Sequence, residues 1–258
     1  MTVPVIHVTA PVGPAGAPLV LLGPSLGTST LVWDPVAAIL GSRFRVAAWD
    51  LPGHGASPAT TLPFTVGELA LAVLDTLDAL HEDRVHSAGL SLGGAVGLEL
   101  MLAAPHRVIA AAEVCTGAKI GTVDGWITRA ATVRAQGTAS LVGASAARWF
   151  APGSIARHPE LAGRLLNSLR DADDISYALC AEALAGYDVR GKLGNIESPV
   201  LAVWGEHDLV TPESSSLEIA EGVVRGRVER VADAGHLAPA EQPEVVAGLL
   251  AGFFEGAE

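Results

Sequence analysis

Ser91 stands between two glycines in Gly89-Leu90-Ser91-Leu92-Gly93, and small neighbours on both sides are what a serine on a sharp strand-to-helix turn requires. Residues 85–88 before it read as the end of a short buried strand, and residues 93–102 after it as a buried helix carrying one charge. Such a turn lifts the hydroxyl above the sheet edge and aims the first free N–H groups of the helix at whatever the serine attacks. A serine hydroxyl is a weak nucleophile at neutral pH. It needs a histidine to take its proton and a carboxylate to orient that histidine. The second half of the chain supplies both beyond strand-like runs: Asp208 follows residues 200–204, and His236 follows residues 228–231. Glu206 and Asp233 are rival acids, and His54 and His207 are rival bases. His54 breaks the order Ser, acid, His along the chain, and His207 adjoins the acid instead of lying one strand away.

Attack on a carbonyl also needs two donors for the oxyanion. One is the N–H of Leu92, directly after the serine. The other is expected from Gly23-Pro24-Ser25-Leu26-Gly27-Thr28-Ser29, which follows an early strand. Pro24 has no N–H, so Ser25 or Leu26 must donate, and Leu26 is the favoured donor.

Apolar runs at 19–22, 45–49, 85–89, 108–114, 200–204 and 228–231 alternate with helical patterns at 31–40, 66–80, 92–104, 213–223 and 241–254. That alternation predicts an α/β fold with a mostly parallel sheet and helices on both faces. Thr65 and Glu68 fit a capping box, and Thr211-Pro212 reads as a cap followed by proline at the first helical position. Residues 121–190 break the alternation. They hold helical stretches at 126–136, 138–150, 159–169 and 175–185 and no clear strand. The predicted organisation is a core of 1–120 and 191–258 with an all-helical lid of 121–190 over the strand ends, where ligands of open α/β sheets bind.

Composition narrows the partners. Half of the 258 residues are apolar and 17% are charged, which fits a large core. The formal net charge is −12 with no basic cluster, which argues against nucleic acid and anionic membrane as partners. Cys115 and Cys180 lie far apart and read as free thiols of a reducing compartment. The first residues lack the basic and apolar regions of a secretory signal, and no stretch reads as a membrane span, so the expected location is the cytoplasm.

With Gly23–Thr28, Trp33-Asp34, Asp50-Leu51-Pro52-Gly53-His54-Gly55-Ala56-Ser57 and the Ser91 turn, the chain resembles the α/β-hydrolase superfamily. Gly117-Ala118-Lys119-Ile120-Gly121 and Ala147-Arg148-Trp149-Phe150 narrow the resemblance to the 3-oxoadipate enol-lactonases of aromatic catabolism. It departs from that family's usual pattern at Pro24, Leu51-Pro52 and Leu92, where Asn, Thr-Arg and Met are usual. The resemblance implies a serine hydrolase that opens a five-membered enol lactone bearing an acetate arm, without metal or organic cofactor. Ser91 would be nucleophile, His236 base and Asp208 its orienting acid. The anionic arm needs a cation in an otherwise acidic protein. Arg148, Arg134 and Lys119 are the candidates, and arginine suits a planar carboxylate best. Trp126 and Trp149 are candidate pocket walls. Rival readings are another hydrolase of this fold (a carboxylesterase, a perhydrolase or a carbon–carbon bond hydrolase) and a non-catalytic ligand-binding module.

Overall fold

The protein, represented by a computed structural model that describes residues 2–257, is built on a parallel sheet. Its strands are β1 (Leu19–Gly23), β2 (Arg45–Ala48), β3 (Val85–Leu90), β4 (Val108–Val114), β5 (Val200–Gly205) and β6 (Gly226–Val231), in the order β2-β1-β3-β4-β5-β6. All neighbours pair in parallel. Every residue of β1 and β3 is buried, as expected of strands covered on both faces. The edge strand β6 instead exposes Arg227, Glu229 and Arg230, charges that discourage edge-to-edge pairing.

The core helices are α1 (Asp34–Leu40), α2 (Val66–Ala79), α3 (Leu92–Ala103), α9 (Glu213–Gly222), α10 (Ala238–Glu241) and α11 (Pro243–Glu255). Between β4 and β5 run α4 (Val123–Gln136), α5 (Val142–Trp149), α6 (Ser154–Arg157), α7 (Pro159–Asp171) and α8 (Asp174–Ala185), with no strand among the described residues of that stretch. None of the described helices is long and apolar enough to cross a membrane.

Local chemistry explains where the elements begin. At α2, Thr65 Oγ1 accepts from the Glu68 N–H at 3.1 Å and Glu68 Oε2 accepts from the Thr65 N–H at 2.8 Å, the reciprocal capping box. The patterns read as single helices at 31–40, 138–150 and 241–254 are each divided. Thr30–Trp33 and Thr138–Leu141 form tight three-residue-per-turn segments before α1 and α5, and α10 gives way to α11 at Pro243. Thr211 is a further correction. It does not cap α9, whose N-cap is Pro212; its hydroxyl is engaged elsewhere, as described below.

One buried group runs against the apolar core. Glu113 of β4 is fully buried, both carboxyl oxygens lack a hydrogen-bond partner, and it lies under Gly94 and Gly97 of α3. Burial pushes its carboxyl well above the ordinary value of 4.5, so it is carried protonated. A folded-state value above the unfolded one means stability that is full below 4.5 and declines as pH rises. Glu113→Met should therefore be more stable than the parent at neutral pH, by about 1–3 kcal/mol for relief of an unsatisfied buried group. It should also lose the parent's decline above pH 4.5. Thermal melts across pH would reveal this; equal stability of both proteins at all pH values would contradict it.

Candidate active site

The sheet register gathers the strand ends. Gly23 of β1 pairs with Gly89 of β3, Leu90 with Val114 of β4, Val114 with Val203 of β5, and Gly205 with Val231 of β6. Ser91 follows β3 directly, with φ 56° and ψ −114°, a conformation that L-residues avoid. Backbone contacts pin it there. Its N–H donates to Val114 O at 3.0 Å and its carbonyl accepts from Thr116 Oγ1 at 2.7 Å. The flanking glycines are sterically obligatory. A Cβ on Gly89 would lie 2.3 Å from Gly93 O, and one on Gly93 would lie 2.5 Å from the Gly23 carbonyl.

Gly93 N–H donates to Pro24 O at 3.0 Å, which ties the loop after β1 to the start of α3. Among the described residues, the N–H groups of Leu26 and Leu92 make no hydrogen bond, whereas Gly27 N–H and Thr28 N–H are both engaged. Two free donors thus flank Ser91, on the two residues expected to supply them. The acceptor for Gly27 is Nε2 of His54 at 3.2 Å, and Nδ1 of His54 lies 2.8 Å from Pro52 O. His54 is therefore a buried neutral imidazole that braces the donor loop, and it does not compete for the base role.

Asp208 and His236 meet below the surface: His236 Nδ1 donates to Asp208 Oδ2 at 2.9 Å. Asp208 also accepts from Val210 N at 2.7 Å, Thr211 N at 3.1 Å and Thr211 Oγ1 at 2.8 Å. Burial acts to raise its carboxyl, but His236 and these donors outweigh burial and hold it below its usual range. A carboxylate that fixes Nδ1–H leaves the lone pair of His236 on Nε2. Ser91, His236, Ser25 and Leu26 line one small cavity of about 20 Å³. Among the described residues Ser91 Oγ makes no hydrogen bond to the imidazole, and such contacts commonly tighten only when substrate is bound. The rival acid Glu206 is turned to Arg230 at 3.0 Å. Cys115, the nearby thiol, is pushed well above its ordinary value by burial and then by the charge of Asp208, which keeps it protonated and unreactive.

The histidine loop is braced by a residue that the sequence did not flag. Buried Glu241 accepts from Gly235 N through Oε2 and from Ala151 N through Oε1, both at 2.7 Å. Leu237 N–H adds a bond to Trp149 O at 3.1 Å.

The rest of the inner cavity is lined by Trp126 and Arg129 of α4, Ser145, Arg148 and Trp149 of α5, and Val210 after β5. Trp126, Arg129, Arg148 and Val210 also line an outer cavity of about 300 Å³, so the two spaces share a wall. Arg148 and Trp126 thus line both cavities and Trp149 the inner one. Arg134 and Lys119 line neither cavity. Arg134 pairs with Glu182, with a second contact at 3.0 Å, and Lys119 lies 3.4 Å from Asp188. Arg129 was missed. It stands one turn from Trp126, with its guanidinium 5.6 Å from the indole centroid. Neither Arg129 nor Arg148 has a carboxylate partner among the described residues.

The fold is that of a hydrolase built on an α/β sheet, with Ser91 on the sharp turn between β3 and α3. The chain belongs to the alpha/beta hydrolase fold family, whose profile matches residues 18–243. Within that family it is 37% identical to 3-oxoadipate enol-lactonase 1 of Acinetobacter baylyi over 93% of this chain and 90% of that one. The same organism's 3-oxoadipate enol-lactonase 2 is 35% identical over 90% and 86%. The crystal structure of the enol-lactonase from Burkholderia xenovorans LB400 superposes with a TM-score of 0.93 at 30% identity, covering 97% of this chain and 96% of that one.

The His54 bracing has a measurable consequence. Burial, only partly opposed by the Pro52 hydrogen bond and by Asp50 and Asp173, lowers its imidazole from 6.5. Histidine-resolved NMR, with the His54 ring assigned by its absence in His54→Gln, should show that ring protonated on Nδ1 and still neutral on acidification after exposed histidines have titrated at about pH 6.5. Titration of the His54 ring together with the exposed ones would rule out the bracing tautomer.

Proposed function

We propose that this protein is a serine lactonase that opens 3-oxoadipate enol-lactone to 3-oxoadipate, with Ser91 as nucleophile, His236 as general base and Asp208 as its orienting carboxylate. The observation that carries the reading is one cavity lined by Ser91, His236, the Leu26 donor loop and two guanidinium groups without carboxylate partners. The family relationship to enol-lactonases supports it independently.

Ser91 Oγ attacks the ring carbonyl as His236 Nε2 takes its proton, and the growing imidazolium charge is met by Asp208. Leu26 and Leu92 N–H groups receive the oxyanion. They are free in the resting protein, so no bond must break before they act. Collapse of the tetrahedral intermediate expels the enol oxygen, which takes the proton back from His236. The freed enol tautomerises to the ketone. Water, deprotonated by His236, then cleaves the acyl–Ser91 ester and releases the second carboxylate. An enol leaves more readily than an alkoxide, which favours acylation.

The acetate arm of the lactone is an anion in a protein of net charge −12, so it needs local positive charge. Arg148, joined by Arg129, supplies it where the inner and outer cavities meet. Arg134 and Lys119, already paired, do not take part. A space of about 20 Å³ beside Ser91 is roughly one water in size, far below a five-membered ring. Residues 121–190 therefore act as a lid, and α4 and α5 draw back from Ser25 and Val210 to admit the substrate. The two cysteines, both buried and unpaired, fit a cytoplasmic setting.

The test is a ring-matched pair: the enol lactone and α-angelica lactone, in which a methyl group replaces the acetate arm. The proposed enzyme opens the carboxylated lactone with much the higher kcat/KM. Ser91→Ala lowers turnover to at most about a thousandth with the fold intact. Arg148→Ala raises KM for the carboxylated lactone about tenfold or more and leaves α-angelica lactone unaffected. Arg134→Ala changes neither. Preference for a neutral aryl ester over the lactone would make the protein a general esterase instead. Failure of an organophosphate to label Ser91 would make it a binding module.

A further inference from the structure

Ser145 is the most unusual polar residue near the cavity. It lies in the middle of α5, only 1% exposed, and its hydroxyl has no hydrogen-bond partner. Mid-helix serines ordinarily point to solvent or bond back to the carbonyl four residues earlier, here that of Leu141; Ser145 does neither. Buried polar groups in folded proteins are almost always paired, and an unpaired one carries a penalty of about 1–3 kcal/mol. Nothing in the packing compels a hydroxyl at this position, since an alanine would fill the backbone site without the penalty.

The helix geometry says where that hydroxyl points. Residues three and four apart share one face, so Ser145, Arg148 and Trp149 form a single stripe, and all three line the cavity that contains Ser91. Trp126 and Arg129 form the matching stripe on α4. The wall opposite the nucleophile thus carries a planar guanidinium and, one turn away, a hydroxyl with no competing partner.

We infer that Ser145 is a specificity-determining residue for an anionic substrate. Its Oγ–H donates to one oxygen of the substrate carboxylate while Arg148 donates to the other. This rests on the proposed reading that a carboxylate-bearing ester or lactone occupies the cavity, and it names a contact that reading does not contain. The contact serves discrimination more than chemistry. A neutral ring that lacks the carboxylate leaves Ser145 as unpaired as in the empty protein, whereas the anion relieves the penalty. Sites with a buried polar group waiting for its partner reject analogues that cannot supply one. Because the bond is present equally in the ground state and the transition state, its loss appears in KM and not in kcat.

Ser145→Ala tests this. The variant should melt at or slightly above the parent temperature, because the lost hydroxyl pairs with nothing in the folded protein. KM for the carboxylated lactone should rise about tenfold with kcat nearly unchanged, while both constants for α-angelica lactone stay the same. A second measurement does not need turnover: quenching of Trp126 and Trp149 fluorescence on titration with 3-oxoadipate should give a Kd about tenfold weaker in the variant. Equal affinity of parent and variant for 3-oxoadipate, or an equal change toward both lactones, overturns the inference. Weakened binding in the variant without lactone turnover by the parent would uphold Ser145 as the carboxylate contact and refute the lactonase reading alone.

Discussion

The backbone at Ser91 is the constraint on which the site depends. A positive φ at a residue with a side chain costs on the order of 1–3 kcal/mol, and it persists only if the surroundings leave no alternative. Here the surroundings are backbone. Gly89 sits against the Gly93–Gly94 peptide, Gly93 sits against Gly23 and Pro24, and the Ser91 peptide is bonded on both sides to β4 and the loop that follows it. No side chain of any size fits between these segments. The same closeness does chemical work. It brings the loop after β1 against the first turn of α3, so donors from distant parts of the sequence face one hydroxyl. The strain and the placement of the two free N–H groups therefore follow from one packing event.

The second half of the site is assembled by charge. Asp208 is buried, and a buried carboxylate persists only when its oxygens are met by donors. Val210, Thr211 and His236 meet them, and in doing so they fix the imidazole's tautomer. Glu241 extends the same logic outward. Its two oxygens join Gly235, beside the histidine, to Ala151, just past α5. The wall that carries Ser145, Arg148 and Trp149 is thus tied by hydrogen bonds to the loop that carries His236. The helix and His236 are thus joined, although α5 belongs to the inserted segment and the histidine to the loop after β6.

How much of this was legible in the sequence depended on the range of the signal. Ser91 was legible because its requirement is local: a strand, a glycine on each side, then a helix. Asp208 and His236 were legible because strand-end placement and chain order restrict the choice to a few residues. Leu26 followed by elimination, since Pro24 cannot donate. Thr211 was misread because Thr-Pro before a helix looks the same whether the hydroxyl caps the helix or serves a carboxylate three residues earlier. Arg134 and Lys119 looked as available as Arg148, because their partners Glu182 and Asp188 lie 48 and 69 residues further along the chain. Arg129 and Ser145 were invisible for another reason. Which face of a helix meets a cavity depends on how the helices dock, and nothing in the local pattern of α4 or α5 states it.

This division of labour has a physical origin. The groups that would need sub-ångström placement, the proposed nucleophile and its donors, rest on sheet ends where backbone hydrogen bonds and close glycine contacts leave little freedom. The groups proposed to recognise substrate rest on helices inserted between β4 and β5, which take part in no ladder bond. An inner space near 20 Å³ is consistent with that separation: it holds no more than about one water beside Ser91, and both guanidinium groups also border the outer space. Under the proposed reading, an anion arriving from outside meets those charges before it meets the serine. In a protein of net charge −12 this order matters, because long-range repulsion is screened within about 8 Å at physiological ionic strength, and only charges at the entrance act on the substrate once it is there.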